Sequence, residues 1–566
     1  MLLASLSIGG SLSGCPRAHD DDDGGPSLDA PARSDTPTET CAGPALACDG
    51  AAVTRCVGDH YEPTGEICDE LEGESCRGGL CVNACEAAAA AQSYVGCEYW
   101  PTVTPNVVDD PTRYRFAVVV ANTGSVEARV RVERGAEIVA EVIVAPDGVQ
   151  EIVLPWVETL LHAGASDATS NVLLTDGAYR LVSTQPVSAY QFSPFEDRVG
   201  ERPSYSNDAS LLLPTSALGR DYRVVAHASH LLAQGIRETL DPANPSSYPG
   251  SPAFFTVVGT EDGTSVTVRA HGRTQPGPGT DTALVEGDER TYTLDRGDVL
   301  LVLSKLWFFD EAECVQPEGG GGGCSSRLTD LTGTEIESTA PVAVFGGHRC
   351  VDLPREWLFC DHLEEQMVPV SAWGVRAVGV SSHPIVPEET SIFRIVSASN
   401  GNHVEVSPAS LGSFDLDDGE FVDLALAGGI EVRGTGRLQL VQYETSGQRK
   451  SIVFGAEPIA TGDPSMALVV PVEQQRRDYV FLAPSTFEQS FVLIAAPMDA
   501  QPMLDGEIVP ALTPIEGSGY GWVRVPLGAG AHRMIGSSPF GITVQGVAPA
   551  CSYMFPGGLD VETLLL

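Results

Sequence analysis

One strand pattern recurs along this chain and restricts its fold more than any other feature. Four times an apolar stretch led by Phe runs into a turn and then into a second, alternating stretch, beginning at Phe116, Phe255, Phe393 and Phe491. The turns place Gly near Asn or Asp, which supplies the positive φ of a tight turn, so we expect a β-hairpin in each copy. Because these Phe residues lie 139, 138 and 98 positions apart, the copies are whole β units rather than short solenoid repeats.

A second strand pattern marks the end of each copy. An apolar strand is led by Pro186, Pro341 or Pro539 in three of them, whereas the third copy begins this strand at Arg437 and has no Pro. Each copy offers about seven strands, which is enough for a small two-sheet sandwich. The pattern predicts an all-β fold of tandem β-sandwich-like units, with about four pseudo-repeats. A β-propeller-like arrangement of four-stranded blades has a similar strand count and is the alternative.

The composition agrees with this fold and excludes several classes of function. The 566 residues include 60 Gly and 40 Pro, too many helix breakers for a coiled coil or a helical bundle. With 33 basic and 76 acidic side chains, the formal net charge is −43. Nucleic acid is therefore not an expected partner, because neutralising phosphates requires clustered Lys and Arg.

The amino terminus resembles a bacterial lipoprotein signal. Residues 2–12 are mostly apolar and lead into Leu12-Ser13-Gly14-Cys15, which is similar to the lipobox. In that family the peptide is cleaved before the Cys, whose thiol receives a diacylglycerol. The resemblance implies a signal peptide over residues 1–15, lipidation of Cys15 and attachment to a membrane through that lipid. An ordinary secretory signal is the alternative, and a start upstream of Met1 stays open.

The next residues, 16–40, form an acidic tether in this interpretation. They contain Asp20–Asp23 and are rich in Pro, Ser and Thr, a composition that stays solvated and repels itself. Lipoproteins that keep Asp directly after the lipidated Cys remain on the inner membrane, whereas here Pro16 occupies that position. We therefore expect a protein of the bacterial cell envelope, anchored by lipid at the outer membrane or cell surface.

The cysteines indicate an oxidising compartment. A disulfide-rich module is predicted over residues 41–97, with its connectivity open, from Cys41, Cys48, Cys56, Cys68, Cys76, Cys81, Cys85 and Cys97. Two local pairs are expected further along the chain, Cys314 with Cys324 across a glycine run and Cys350 with Cys360 across a Pro-containing turn. Cys551 is left over, and it is either free or the partner of a cysteine assigned elsewhere.

No motif of catalysis or cofactor binding is present in the sequence, so no cofactor and no enzyme activity are predicted. His348 and His362 flank Cys350 and Cys360 in a symmetric set that zinc could accept, which makes the two His weak metal candidates. In an exported chain a disulfide between the two Cys is favoured, and we predict no metal. Asp463-Pro464 is similar to the Gly-Asp-Pro-His sites that cleave themselves, but Ser465 replaces the His and a strand-leading turn is preferred.

Four stretches carry a resemblance to a known family. These are 85–100, with Ser93-Tyr94-Val95-Gly96-Cys97-Glu98-Tyr99-Trp100, then Cys360-Asp-His-Leu-Glu-Glu-Gln-Met-Val-Pro369, Gly462-Asp-Pro-Ser-Met466 and Ser552-Tyr-Met-Phe-Pro-Gly-Gly558. They resemble the amino-terminal domain of the IgGFc-binding protein family, in its bacterial exported and lipoprotein members. The likeness extends over residues 98–566, with units at about 98–207, 208–350, 360–445 and 462–566. The resemblance implies an extracellular, non-enzymatic binding region. IgG Fc is implied as a ligand only by the name of the family, and no ligand-contact residues follow from the resemblance.

The sequence therefore favours a surface-tethered, non-enzymatic binding or adhesion lipoprotein that recognises a protein or a glycan. A structural component of the envelope or matrix that associates with itself is the alternative. An exported hydrolase with dispersed catalytic residues is a third hypothesis, and no motif supports it. The identity of the ligand, its contact residues and the binding face are left open at this stage.

Overall fold

The computed structural model describes residues 45–565, except 50, 59, 70–72, 109, 166–169, 201, 232–249, 279–281, 310–325, 355–356, 359, 384–389, 447 and 450–461. The described residues are nearly all in strands and their connections, which confirms the all-β prediction. No described helix is long and apolar enough to cross a membrane. The proposed signal peptide, the lipidation site Cys15, the tether, and Cys41, Cys314 and Cys324 lie outside the described residues.

A small disulfide-bonded region precedes the main fold. Its elements are β1 (Leu46–Asp49), β2 (Ala52–Val57), β3 (His60–Ile67), β4 (Glu74–Arg77), β5 (Leu80–Asn83) and α1 (Ala84–Ala90). Strands β1, β2 and β3 form one sheet, and β4 and β5 form a hairpin. The side chain of Asn83 caps α1 by accepting hydrogen bonds from the backbone N–H groups of Cys85 and Glu86, as residues at this position often do. Few side chains here are fully buried, so disulfide bonds contribute much of the stability of such a small region.

The main fold consists of four sets of strands. The first set contains β6 (Gly96–Tyr99), β7 (Phe116–Ala121), β8 (Ala128–Arg134), β9 (Glu137–Val144), β10 (Val149–Leu154), α2 (Glu158–Leu161), β11 (Val172–Leu174), β12 (Arg180–Ser193), β13 (Arg198–Val199), β14 (Arg202–Pro203) and β15 (Asp208–Leu212). The second contains β16 (Gly219–Arg223), β17 (His230–Leu231), β18 (Gly250–Ser251), β19 (Ala253–Gly259), β20 (Thr264–Arg269), β21 (Glu289–Leu294), β22 (Val299–Leu303), β23 (Trp307–Phe309), β24 (Ser326–Leu328), β25 (Glu335–Val351), β26 (Trp357–Leu358) and β27 (Asp361–Gln366).

The third and fourth sets complete the chain. The third contains β28 (Arg376–Val380), β29 (Ser391–Ser397), β30 (Asn402–Ser407), β31 (Ser413–Leu416), β32 (Phe421–Leu426), β33 (Gly429–Gly434), β34 (Leu438–Tyr443), β35 (Gln448–Arg449) and β36 (Met466–Val469). The fourth contains β37 (Arg476–Ala483), β38 (Gln489–Pro497), β39 (Met503–Leu504), β40 (Glu507–Ile508), β41 (Thr513–Pro514), β42 (Tyr520–Leu527), β43 (Gly530–Ala548) and β44 (Cys551–Pro556). One-turn 3-10 helices at Thr215–Ala217, Val370–Ala372 and Val472–Gln474 lead from each set into the next.

In three sets one long strand belongs to two halves of a curled sheet, and we call β12, β25 and β43 the crossing strands. The first half of β25 pairs with β16 and β20, and its second half pairs with β19 and β27. The third set divides the same path between β33 and β34, which lie in separate four-stranded sheets. Each set thus resembles a two-sheet sandwich more than a flat four-stranded blade.

The predicted hairpin is wrong in its pairing. The strand led by Phe and the strand after its turn, such as β19 and β20, do not pair with each other, because the crossing strand lies between them. The turn is nevertheless where the sequence placed it, with positive φ at Gly263 and Gly401 (70° and 63°). It joins the two halves of the sheet. The true hairpins come one strand later, as in β20 with β21.

Each crossing strand contains the Pro that the sequence pattern singled out, and that Pro lies where the strand changes sheets. In β25, residues 335–338 pair with β20 and residues 342–348 with the neighbouring β19, so Pro341 stands between the two ladders. Because Pro has no backbone N–H, its place at the switch leaves no donor unpaired.

A buried tyrosine fixes this switch in three sets. The hydroxyls of Tyr99, Tyr222 and Tyr479 accept a hydrogen bond from the backbone N–H three residues earlier, at 2.8, 2.7 and 2.8 Å. Each also donates to the carbonyl oxygen of the residue after the crossing Pro, namely Val187, Val342 and Phe540. Sequence reasoning did not find these tyrosines.

The third set lacks both the tyrosine and the Pro. In this set the chain leaves β33 after Gly434 and enters β34 at Leu438, and Arg437 lies between the two strands. Arg437 Nη1 donates to the carbonyl oxygens of Val370, Ser371 and Trp373 at 3.2, 3.1 and 2.9 Å. Its Nη2 also donates to the carbonyl oxygen of Leu564, so one charged side chain bonds four carbonyls where the other sets have a continuous strand.

The last strand of each set lies at the centre of the molecule, and we call β15, β27, β36 and β44 the central strands. They pack in cyclic order, with β15 against β27, β27 against β36, β36 against β44 and β44 against β15. The start and the end of the main fold close this ring of strands. The N–H of Tyr94 donates to the carbonyl of Leu559 at 3.1 Å, and Ser93 forms an antiparallel β-bridge with Asp560. The largest apolar core includes side chains from all four sets, among them Tyr190, Val344, Val441 and Val544.

The central strands also bear on the unit boundaries expected from the sequence. Those boundaries placed residues 208–212, 361–366 and 466–469 at the start of a following unit, whereas each of these strands pairs with the crossing strand or its counterpart before it. Hydrogen bonding favours strand sets at 96–212, 219–366, 376–469 and 476–556.

Candidate functional site

The centre of the molecule is polar, although four β sets surround it. Buried carboxyl groups gather there from the central strands and the segments beside them, all with at most 1% of their surface exposed: Asp208, Asp361, Glu364, Glu365, Glu444 and Asp463. Buried carboxyl groups are rare unless they are paired or hydrogen-bonded. The hydrogen bonds of these carboxyl groups therefore indicate their role in packing the central strands.

Asp208 joins all four central strands. Its Oδ2 accepts hydrogen bonds from the backbone N–H groups of Glu364 on β27 and Met466 on β36, at 3.0 and 3.1 Å. Its Oδ1 accepts from Ala209 on its own strand at 2.9 Å and from Met554 on β44 at 3.3 Å. Burial raises the pKa of Asp208 well above its usual value, against the lowering effect of these N–H donors.

Side chains of β27 make further bonds to the first set. Glu365 Oε1 accepts from the N–H of Leu211 at 3.2 Å, and Gln366 Oε1 accepts from the N–H of Leu213 at 2.8 Å. Glu364 accepts from Gln191 Nε2 at 3.0 Å. Carboxylate and amide oxygens thus replace a regular backbone ladder between β15 and β27.

A small cavity lies at the far end of the central strands. It has a volume of about 10 Å³ and is bordered by Leu211, Glu365, Gln439, Leu468 and Pro556. That volume suits a single water molecule and no larger ligand.

The weak metal candidates do not form a metal site in this structure. Cys350 and Cys360 are joined by a disulfide bond, so neither thiolate is available as a ligand. His348 Nδ1 accepts from the N–H of Cys350 at 3.1 Å, and His362 stacks on Phe254 with ring centroids 5.9 Å apart. Burial lowers the pKa of His348 well below its usual value. Among the described residues no three His, Cys, Asp or Glu side chains are placed to hold a metal ion.

Other disulfide bonds stabilise the amino-terminal region. Cys48 is joined to Cys76, Cys68 to Cys81 and Cys85 to Cys97, with Cα–Cα distances of 5.6, 5.2 and 5.6 Å. Cys56 is also disulfide-bonded.

The cysteine left over in the sequence, Cys551, is a buried free thiol. Its Sγ lies 3.4 Å from Ser204 Oγ and 3.4 Å from the carbonyl oxygen of Asp197. Burial raises the pKa of this thiol, which keeps it protonated and unreactive.

Open depressions mark the outer surface of the described part of the first set. A cleft of about 380 Å³ between the first and fourth sets includes Asp147, Arg476, Asp478, His532 and Arg533 in its lining. A groove of about 710 Å³ runs over β8, β9 and β12, and its lining includes three arginines, Arg129, Arg131 and Arg180. Each of these arginines is paired with a Glu, so the groove is not strongly basic.

Comparison with known proteins agrees with the motifs noted in the sequence. The family model described as IgGFc binding protein matches residues 208–546, from the start of β15 to two residues before the end of β43. The IgGFc-binding protein of Homo sapiens is 28% identical over 238 residues, which are 40% of this chain and only 4% of the human protein. Three of the four motif stretches, 360–369, 462–466 and 552–558, lie on or beside central strands. The chain therefore belongs to the IgGFc-binding protein family.

Proposed function

We propose that this chain is a non-enzymatic binding protein, tethered to the bacterial cell surface by lipid, that recognises a protein or a glycan. The family match carries the proposal, because the family is one of binding proteins. A rigid scaffold whose centre is closed by hydrogen bonds is suited to presenting loops to a large ligand. The human relative is named for IgG Fc, and Fc is therefore the first ligand to test.

The proposed ligand side is the face where the central strands begin. The crossing strands and β34 end at Ser193, Val351, Tyr443 and Ala548, and a connection leads from each to the start of a central strand. In the first three sets these connections are long, spanning residues 194–207, 352–360 and 444–465. In the described parts of these connections, Trp357 of the second pairs with Arg449 of the third. The Cys350–Cys360 disulfide bond constrains the second connection.

A binding titration tests this proposal. The full chain with Cys15→Ser, which removes the lipidation site, is titrated against immobilised IgG Fc, with Fab as the control. Saturable, Fc-selective binding tighter than about 10 µM, equivalent to about −7 kcal/mol, would support transfer of the relative's named activity. Absence of binding would restrict the likeness to architecture and direct the search to surface glycans and envelope proteins.

A matched pair of arginines tests the face. Arg198 lies in the connection 194–207 and pairs with Glu488 at 2.6 Å, whereas Arg533 lies at the opposite end of β43 and pairs with Asp478 at 2.6 Å. We expect Arg198→Ala to weaken binding of whichever ligand is found and Arg533→Ala to leave it unchanged. The reverse order would place the ligand on the other face.

The lipid anchor is a separate part of the proposal. It rests on Leu12-Ser13-Gly14-Cys15. Incorporation of labelled palmitate into the native chain and its loss in Cys15→Ser would support lipidation, and recovery with the inner membrane on fractionation would contradict the outer-membrane location.

One observation favours the alternative of a self-associating structural component. Strand β9 pairs only with β8 among the described strands, and it exposes Ile138 and Ile143 by 49% and 58%. Edge strands with exposed apolar side chains are prone to pair with other copies. Sedimentation of the unlipidated chain would reveal dimers that Ile143→Lys abolishes, whereas a monomer at high concentration would reject this alternative.

A further inference from the structure

Asp463 is the most poorly satisfied acid in the centre. Its side chain is 1% exposed, and neither Oδ1 nor Oδ2 has a hydrogen-bond partner among the described residues. Its backbone is well held, because its N–H donates to Ser552 Oγ on β44 at 2.8 Å and the N–H of the preceding Gly462 donates to the carbonyl of Ala548. A buried ionised carboxylate without donors is strongly disfavoured relative to the neutral acid.

The groups that face Asp463 are acidic or neutral. They are Asp361 on β27, Asp352 after β25, Glu444 after β34, and Cys551 with Ser552 on β44. One of these groups, Asp352, has its Oδ2 3.3 Å from His230 Nε2. Asp361 is fully buried, and its Oδ2 also lacks a partner among the described residues.

We propose that Asp463 is a protonated, neutral carboxylic acid in the folded protein at neutral pH, and that loss of this proton at higher pH destabilises the packing between the third and fourth sets. Burial first, and the neighbouring carboxylates second, raise the pKa of Asp463 well above its usual value. The folded chain therefore binds one proton that the unfolded chain releases. Stability from this group is complete below the unfolded pKa, about 3.9, and is lost as the pH rises towards the folded pKa.

Loss of this proton would leave a buried charge without hydrogen-bond donors among the described residues, beside other carboxyl groups. The backbone N–H of Asp463 donates to Ser552 on β44, so this charge would arise where the third and fourth sets meet.

The test compares urea unfolding of the native chain, Asp463→Asn and the exposed control Asp499→Asn across pH 5–8. Between the two pKa values, one retained proton raises the unfolding constant about ten-fold per pH unit. We expect the ratio of the unfolding constants of the native chain and Asp463→Asn to rise by about that factor per pH unit, and the ratio for Asp499→Asn to stay flat. A ratio for Asp463→Asn that does not change with pH would overturn the proposal.

Two further measurements keep the proposal falsifiable if Asp463→Asn does not fold. Asp463→Ser is a second neutral variant for the same comparison. Infrared spectra of the native chain at neutral pH would contain the band of a protonated carboxylic acid, and its absence would overturn the proposal. Stabilisation by added calcium that a chelator reverses would also overturn it, because a cation rather than a proton would then neutralise the site.

Discussion

Replacing Asp208 with Asn should separate the central strands, because a single carboxylate accepts backbone hydrogen bonds from all four of them. Each of its oxygens accepts two bonds, from Glu364 and Met466 at Oδ2 and from Ala209 and Met554 at Oδ1. Asn keeps the shape of the side chain but offers one oxygen only. Its NH₂ group would then face two backbone N–H groups, and neither could bond to it.

The expected cost follows from those two unpaired donors. A buried donor that loses its acceptor costs about 1–3 kcal/mol, so Asp208→Asn should lower the free energy of unfolding by about 2–6 kcal/mol. Asp208 is fully buried, and solvent cannot supply a substitute acceptor without opening the centre.

Urea unfolding followed by far-ultraviolet circular dichroism measures this loss, with the exposed Asp499→Asn as the matched control. Hydrogen exchange provides a local readout, since the amides of Glu364, Met466 and Met554 should exchange faster in Asp208→Asn. A variant within about 0.5 kcal/mol of the native chain would refute the reasoning, because that is the range of an ordinary surface substitution. Unchanged exchange at those three amides would refute it independently.

The other predictions concern the switch, a buried arginine and a disulfide bond. Tyr222→Phe leaves the Gly219 N–H and the Val342 carbonyl without their partner and should cost about 1–3 kcal/mol in urea unfolding, whereas Tyr292→Phe, which removes a hydroxyl without a partner among the described residues, should be nearly neutral. Arg394 is 2% exposed and bonds Asp330 and Asp423 at 2.9 and 2.8 Å, so Arg394→Met should cost about 3–5 kcal/mol at neutral pH. Burial by itself raises the pKa of Asp330, but Arg394, His227 and the hydrogen bonds from Thr332 together hold that pKa below its usual value. Because Arg394 makes the largest lowering contribution, the difference in unfolding free energy between the native chain and Arg394→Met should narrow as the pH falls below about 4. A difference that is constant with pH would contradict this role. The paired replacement of Cys350 and Cys360 by Ser should cost about 2–4 kcal/mol and weaken ligand binding at the proposed face, and unchanged affinity would separate that connection from the ligand.

The strand content was accessible from the sequence because it depends on neighbours along the chain. Alternating apolar residues, Gly at positive φ and the leading Pro residues specify strands and turns locally. Pairing depends on residues far apart, and there the prediction of a hairpin between the strands led by Phe and their successors was wrong. A long crossing strand such as β25 can separate two consecutive strands only because its second half has a different set of partners.

The candidate site could be predicted only in part. The motif 360–369 was recognised, yet the role of its carboxyl groups was not, and Asp208 was overlooked altogether. A usable signal existed, since β15, β27 and β36 are each followed within three residues by a Pro, at Pro214, Pro369 and Pro471. The tyrosines at 99, 222 and 479 carried a second signal, because each precedes a unit that contains a crossing Pro. Both patterns stand in the sequence, but their common role in packing is recognised only once these strands are known to meet.

The sequence by itself determined that this chain is all-β, that a strand pattern recurs four times, that a disulfide-rich region precedes the main fold and that the chain resembles a family of binding proteins. These properties follow from local periodicity, from residue types and from short separations between cysteines. Only the tertiary structure decided that the last strand of each set turns inward and that buried acids hold those strands together. The physical reason is that the bonds of Asp208 and the environment of Asp463 involve groups more than 80 residues away, and no local pattern encodes which distant backbone donors will meet a carboxyl group.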